Sequence, residues 1–212
     1  MNAHQIKSLG AIWGHQDGLL SERELEALMQ IVAGDLARHD MWEAFDVLEV
    51  GHFMGLSTCG LVHALRESEE PARSMRGSWT LTTVDAHIAD AWVPETPTWV
   101  FEENMREHFA DPRVTVRFEL SQTLTAPLPF DFVFYDGDHA EEQERFTRAV
   151  IESPRVRTLV FDDRDFPVPA RCCEILRAAG WRDESPEVLR APGDKCGRET
   201  MTLGVFRREV QK

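Results

Sequence analysis

DFVFYDGDHAEE (131–142) decides the reading of this chain. Its apolar run Phe132–Tyr135 has no polar alternation, which is how a strand covered on both faces of a parallel sheet reads, and it stops at Asp136. A second run, TLVFDD (158–163), repeats the pattern and stops at Asp162 and Asp163. In open α/β sheets ligands collect outside the carboxyl ends of the strands. Adjacent strands lie about 4.8 Å apart, so if these two are neighbours their terminal carboxylates converge. Three oxygen ligands of this kind suit a hard divalent cation, Mg²⁺ first, rather than zinc.

Outward from this pair, strands and helices alternate, which predicts a sheet with helices on both faces. The spacing predicts helices over 19–39, 56–68, 97–110, 140–153 and 169–180. Ser21 with Glu24 is a capping-box signature for the first of these, and Gly180 suits the C-terminal cap of the last. Strands are expected at 45–50, 79–86 and 113–119, at the two acidic segments, and at 181–185 and 200–208. The polar stretch 69–78 reads as a connection. Neither repeats nor a second domain are visible, so residues 1–212 are expected to form one domain, with an N-terminal helical or lid segment (1–40) and a core (41–212).

Composition narrows the function classes. Net charge is −14, with 37 acidic against 23 basic residues, which argues against wrapping a nucleic-acid backbone. No apolar run approaches the roughly 20 residues that span a bilayer, so no membrane partner is expected. The first ten residues lack the apolar core of a secretory signal, and Cys59, Cys172, Cys173 and Cys196 show no C-x-x-C spacing. A reducing cytoplasm is the default, and a homodimer is the commonest assembly.

LEVGHFMGLST (48–58) places Glu49, Gly51 and Gly55 around a strand-to-helix turn, where glycine lets the backbone approach a ligand. It is not the dinucleotide fingerprint, because Phe53 and Leu56 replace its second and third glycines. Alone, the pattern is equally an ordinary tight turn. What raises it is order: this turn comes first, the acidic strand end Asp85 second, and Asp136 fourth.

With these residues in place, the chain resembles the class I S-adenosylmethionine-dependent methyltransferases, particularly small-molecule O-methyltransferases. LEVGHFMGLST looks like their first motif, DFVFYDGDHAEE like their D-G-D-H segment and VFDD like the following strand, over about residues 45–165. The resemblance implies a Rossmann-like, doubly wound α/β fold with a seven-stranded, mostly parallel sheet and one antiparallel strand. Metal-dependent members, of the catechol and macrolide-sugar type, carry an acidic residue at the D-G-D-H position and an acidic pair after the next strand. Those positions are Asp136, Asp162 and Asp163, and the base that follows three residues later is His139. For the cofactor, the resemblance implies that Gly51 and the backbone of His52, Phe53 and Gly55 run beneath the methionyl part, with Glu49 supporting the loop and Ser57 or Thr58 near its carboxylate. Asp85 would bind the ribose hydroxyls. The family's Gly-Asp-Ser is replaced here by Glu119-Leu120-Ser121, leaving Ser121 and the Leu120 backbone to meet the adenine.

The chemistry has its own logic. A neutral hydroxyl is a poor nucleophile toward a sulfonium methyl, and a cation on the acceptor oxygen lowers its pKa while an imidazole accepts the proton. Three residues is just under one helical turn, so His139 can face the pocket of Asp136. Against this stand plainer readings. Asp136 and His139 could be an acidic helix start with a solvated histidine, Asp162-Asp163 could cap a turn, and His52 could be a core histidine. The cluster Trp92, Trp99 and Phe101 reads as packing. Competing functions are a methyltransferase-like fold with another activity (cephalosporin-hydroxylase-like), a metal-dependent hydrolase, and a binding module without catalysis. The expected partner is a small hydroxylated molecule.

Overall fold

The computed structural model describes residues 20–40, 42–52, 55–69, 78–86, 105–106, 111–137, 140–186 and 203–208. A seven-stranded sheet runs β1 (Phe45–Val50), β2 (Trp79–Asp85), β3 (Val114–Phe118), β4 (Phe132–Tyr135), β5 (Thr158–Phe161), β6 (Arg182–Asp183) and β7 (Gly204–Arg207) in chain order. Across the sheet the order is β3-β2-β1-β4-β5-β7-β6. β1 to β5 pair in parallel, and β7 runs antiparallel to both β5 and β6. This is the expected doubly wound arrangement with its reversed strand.

The central strands are built by their residues. Every side chain of β4 and β5 is buried, as predicted from their unbroken apolar runs. Period-two alternation then splits them between two cores. Phe132, Phe134 and Val160 join the core under α1 (Glu22–Arg38) and α2 (Leu56–Glu67), with Leu25, Leu28 and Leu61. Val133, Tyr135, Leu159 and Phe161 join the core under α3 (Glu141–Glu152) and α4 (Pro167–Ala178), with Phe146, Val150 and Leu176. Cys172 and Cys173 are free thiols buried in that second core.

α1 opens on the predicted capping box: Glu24 N donates to Ser21 Oγ at 3.2 Å, and Ser21 N donates to Glu24 Oε2 at 2.9 Å. α4 starts at Pro167, two residues earlier than expected, because proline in a first turn sacrifices no helical hydrogen bond. The strands of the tail are shorter than their apolar patterns suggest, β6 being two residues long. Of the helix expected at 97–110, only 105–106 lie within the described residues, and they are helical.

At the amino-terminal edge of the parallel strands an ion network ties three chain segments together. Asp131, 4% exposed, accepts from the backbone N–H of Asp46 at 2.9 Å and from Arg155 Nη2 at 2.8 Å. Arg155 Nη2 also reaches Asp46 Oδ2 at 2.5 Å. His39 Nε2 lies 3.4 Å from the same Asp131.

Candidate active site

At the opposite edge, the first residues past three strands are locked by one repeated bond. Gly51 N donates to Val84 O at 2.8 Å, Asp136 N to Val50 O at 2.8 Å, and Asp162 N to Tyr135 O at 3.1 Å. The turn after β1 is therefore fastened to β2, the turn after β4 to β1, and the turn after β5 to β4. Register alone brings the predicted Gly51, Asp136 and Asp162 side by side.

Gly51 has φ +89°, and a Cβ there would stand 2.1 Å from the carbonyl oxygen of Asp136. The chain closes the turn with a bond from Gly55 N to His52 O, and Gly55, at φ +79°, caps α2. Cys59 N donates to Gly55 O, so the amides of Leu56, Ser57 and Thr58 have no intrahelical acceptor, the usual state of a helix start and one that favours an anionic group. Phe53 lies outside the described residues.

Glu49 is fully buried at the end of β1. Thr58 Oγ1 donates to its Oε2 at 2.6 Å, so that hydroxyl is committed to Glu49, while Oε1 has no partner in hydrogen-bond geometry among the described residues. Desolvation pushes the carboxyl up to about 7, against the hydroxyls of Ser57, Thr58 and Thr83, which lower it. Thr83 escaped the sequence reading. It sits two residues before Asp85, on the same face of β2, and its Oγ1 is 3.1 Å from His52 Nδ1. The His52 imidazole is buried and edge-on to Phe118, with ring centroids 5.8 Å apart, so the core-histidine reading describes its side chain.

Asp136 sits among the other carboxylates. Burial raises its pKa well above the carboxylate range, and Asp162, Asp163, Glu49 and Asp85 raise it further. Its Oδ2 is sealed from solvent and has no hydrogen-bond partner among the described residues. The acidic residues picked out from the sequence thus share one field. Asp162 is buried, and Asp163 holds φ +53°, a left-handed conformation that a short polar side chain tolerates at some cost. Asp85 is the last residue of β2, and Ser121 opens a 3₁₀ turn after the exposed Leu120. His139 lies outside the described residues.

Two ligands can be weighed against these groups. The Gly51 cradle, the free amides opening α2 and Asp85 at the neighbouring strand end fit a zwitterionic methionyl group and a ribose. The clustered carboxylates suit a hard cation in charge and donor type. Among the described residues, however, no three His, Cys, Asp or Glu side chains are preassembled to hold a metal ion.

The sheet order, the reversed β7 and a glycine turn after β1 define a class I methyltransferase fold. A family model described as a methyltransferase domain matches residues 48–163, more than half of the chain, and the chain belongs to that family of S-adenosylmethionine-dependent enzymes. Among solved structures, it is similar to the O-methyltransferase TomG from Streptomyces achromogenes, involved in tomaymycin synthesis and solved with SAM. The identity is 20%, the TM-score 0.62, and the match covers 97% of this chain and 88% of that one. An O-methyltransferase from Bacillus cereus solved with SAH is 18% identical, with TM-score 0.60 and coverage of 97% and 90%. A protein from Klebsiella pneumoniae described as an O-methyltransferase is 18% identical, with TM-score 0.63 and coverage of 98% and 90%. No curated protein matches the chain by sequence. Among the described residues, no helix is long and apolar enough to cross a membrane.

Proposed function

We propose that this enzyme transfers the methyl group of S-adenosylmethionine to a hydroxyl of a small molecule, with Mg²⁺ held by Asp136, Asp162 and Asp163. The observation that carries the reading is the buried Oδ2 of Asp136, which has no hydrogen-bond partner among the described residues and lies within the field of Asp162 and Asp163. A carboxylate there is uncompensated until a cation arrives. The O-methyltransferases among the structural neighbours support the choice of oxygen as acceptor.

S-adenosylmethionine supplies an activated methyl, and a divalent cation would acidify the acceptor hydroxyl. The chain's own residues do the rest. The Gly51 turn and the start of α2 seat the methionyl group, Glu49 braces that turn through Thr58, and Asp85 holds the ribose. Ser121 and the Leu120 backbone flank the adenine. His139 takes the proton from the acceptor oxygen, which sets the acceptor in line with the methyl.

Calorimetric titration of S-adenosylhomocysteine, with and without Mg²⁺, tests both halves. The wild type is expected to bind it saturably and to show a Mg²⁺ heat that an Asp136→Asn/Asp162→Asn/Asp163→Asn variant loses. Saturable adenosyl binding without any Mg²⁺ heat would remove the metal from the proposal. Catechol and sugar hydroxyls then serve as acceptors, and His139→Ala should lower kcat while leaving the adenosyl affinity unchanged.

A further inference from the structure

The amino-terminal edge of the sheet, away from the cofactor turn, holds a cavity of about 430 Å³. It opens beside Phe45 of β1, Asp131 before β4 and Thr158 of β5, the first residues of strands whose far ends carry the acidic site. Strands of four to six residues separate the two by about 13–20 Å at 3.3 Å per residue. Its chemistry is the reverse of the rest of this acidic chain: Arg38, Arg157, Arg182, Arg207 and Arg208 all line it.

The acids present do not balance these arginines. The cavity wall contributes Asp35 and Asp131. Asp35 Oδ1 serves both Arg38 and Arg207, the latter at 2.9 Å, and Asp131 pairs at 2.8 Å with Arg155, which lies outside the wall and is shared with Asp46. Glu184, beyond the lining, is shared by Arg182 and Arg207. Arg208 spends its Nη2 on the carbonyls of Val150, Ile151 and Ser153, at the end of α3, and meets no carboxylate among the described residues. The exposed Arg157 guanidinium has no ion-pair partner among the described residues. The Nε atoms of Arg207 and Arg208 are sealed without acceptors among the described residues, so they add positive field without offering bonds. Guanidinium groups present planar donor forks that match phosphate and carboxylate oxygens.

We propose that this cavity is a binding site for a small polyanion bearing two or more phosphate or carboxylate groups. Arg157 and Arg38, exposed at its mouth, grip the anion, while Arg207 and Arg208 set the potential of the floor. A concave wall with an excess of one sign concentrates counter-ions even on a protein of opposite net charge. The site is separate from the methyl-transfer centre, so its occupant is a second ligand.

Tripolyphosphate and citrate, titrated calorimetrically at low salt in the presence of saturating S-adenosylhomocysteine, separate phosphate from carboxylate recognition. Saturable one-to-one binding of at least one is expected, weakening with added salt. An Arg38→Ala/Arg157→Ala variant should lose at least tenfold in affinity with little change in Tm, because both side chains are exposed. Arg145→Ala, exposed on α3 and outside the lining, should retain binding. Absence of saturable binding would overturn the proposal, as would equal binding by the double variant or displacement of the anion by S-adenosylhomocysteine, which would place it in the cofactor turn.

Discussion

The carbonyl oxygen of Asp136 lies 2.1 Å from the point where a Cβ on Gly51 would stand. The turn after β1 and the turn after β4 are thus in backbone contact, and only a residue without a side chain lets them meet. Gly51→Ala must separate the two strand ends as well as strain a positive φ. Gly180 has a similar φ of +81° but nothing within 4 Å of its Cβ position. Gly180→Ala is expected to cost about 1–2 kcal/mol, the left-handed penalty alone. Gly51→Ala should cost about 3–4 kcal/mol once overpacking is added, and should also abolish adenosyl binding. Denaturant melts of the two variants, with calorimetry for the first, check the contrast.

Glu49 gives a pH dependence of stability with a definite sign. Its carboxyl is raised from 4.5 to about 7 by burial, so between these values the folded state binds more protons than the unfolded state. Stability of the free protein should therefore fall as pH rises through this window and level off above it. The full contribution is about 3 kcal/mol at 1.36 kcal/mol per unit. Glu49→Gln removes the ionisation and should flatten this part of the Tm profile between pH 4.5 and 7.

Asp131 runs the other way. Burial raises its pKa, but the bonds from His39, Arg155 and the Asp46 N–H more than offset this and hold it at about 2. Its stabilising contribution is complete above pH 4 and is lost as pH falls toward 2. Asp131→Ala would leave the Asp46 N–H and Arg155 without their shared acceptor. The expected loss is about 2–3 kcal/mol at pH 7, moderated by the partial exposure of Arg155, and it should be much smaller at pH 2.5. Urea melts at the two pH values measure it.

The carboxylate cluster yields a metal test that needs no acceptor. Mg²⁺ should raise the Tm of the wild type at pH 8, and Asp162→Asn should remove most of that rise while leaving S-adenosylhomocysteine affinity within threefold. A wild-type Tm unmoved by millimolar Mg²⁺ would leave Asp136, Asp162 and Asp163 as a cofactor-side cluster only.

The central sheet was legible because its information is local. β4 and β5 are unbroken apolar runs ended by aspartate, and two such strands in sequence order leave few alternatives to a covered parallel pair. The grouping of Asp136, Asp162 and Asp163 followed from that register, without side-chain detail. Thr83 was invisible because its role depends on β2 lying beside β1, where it faces Glu49 and His52. The arginine cavity was equally hidden. Arg38, Arg157, Arg182 and Arg207 are spread over 170 residues and meet only because β7 turns back antiparallel beside β5. Charge scattered along the chain averages to an acidic composition and carries no trace of the concentration that folding produces.

The bonds from Gly51, Asp136 and Asp162 to the strands beside them extend the sheet's ladder one residue beyond its end. On the function proposed above, the residues that seat the methyl donor are then part of the scaffold. Exchanging the loops around them between relatives is expected to change which molecule is methylated without moving the donor. For engineering, acceptor choice becomes a module that can be swapped, provided each graft stops short of these anchored positions.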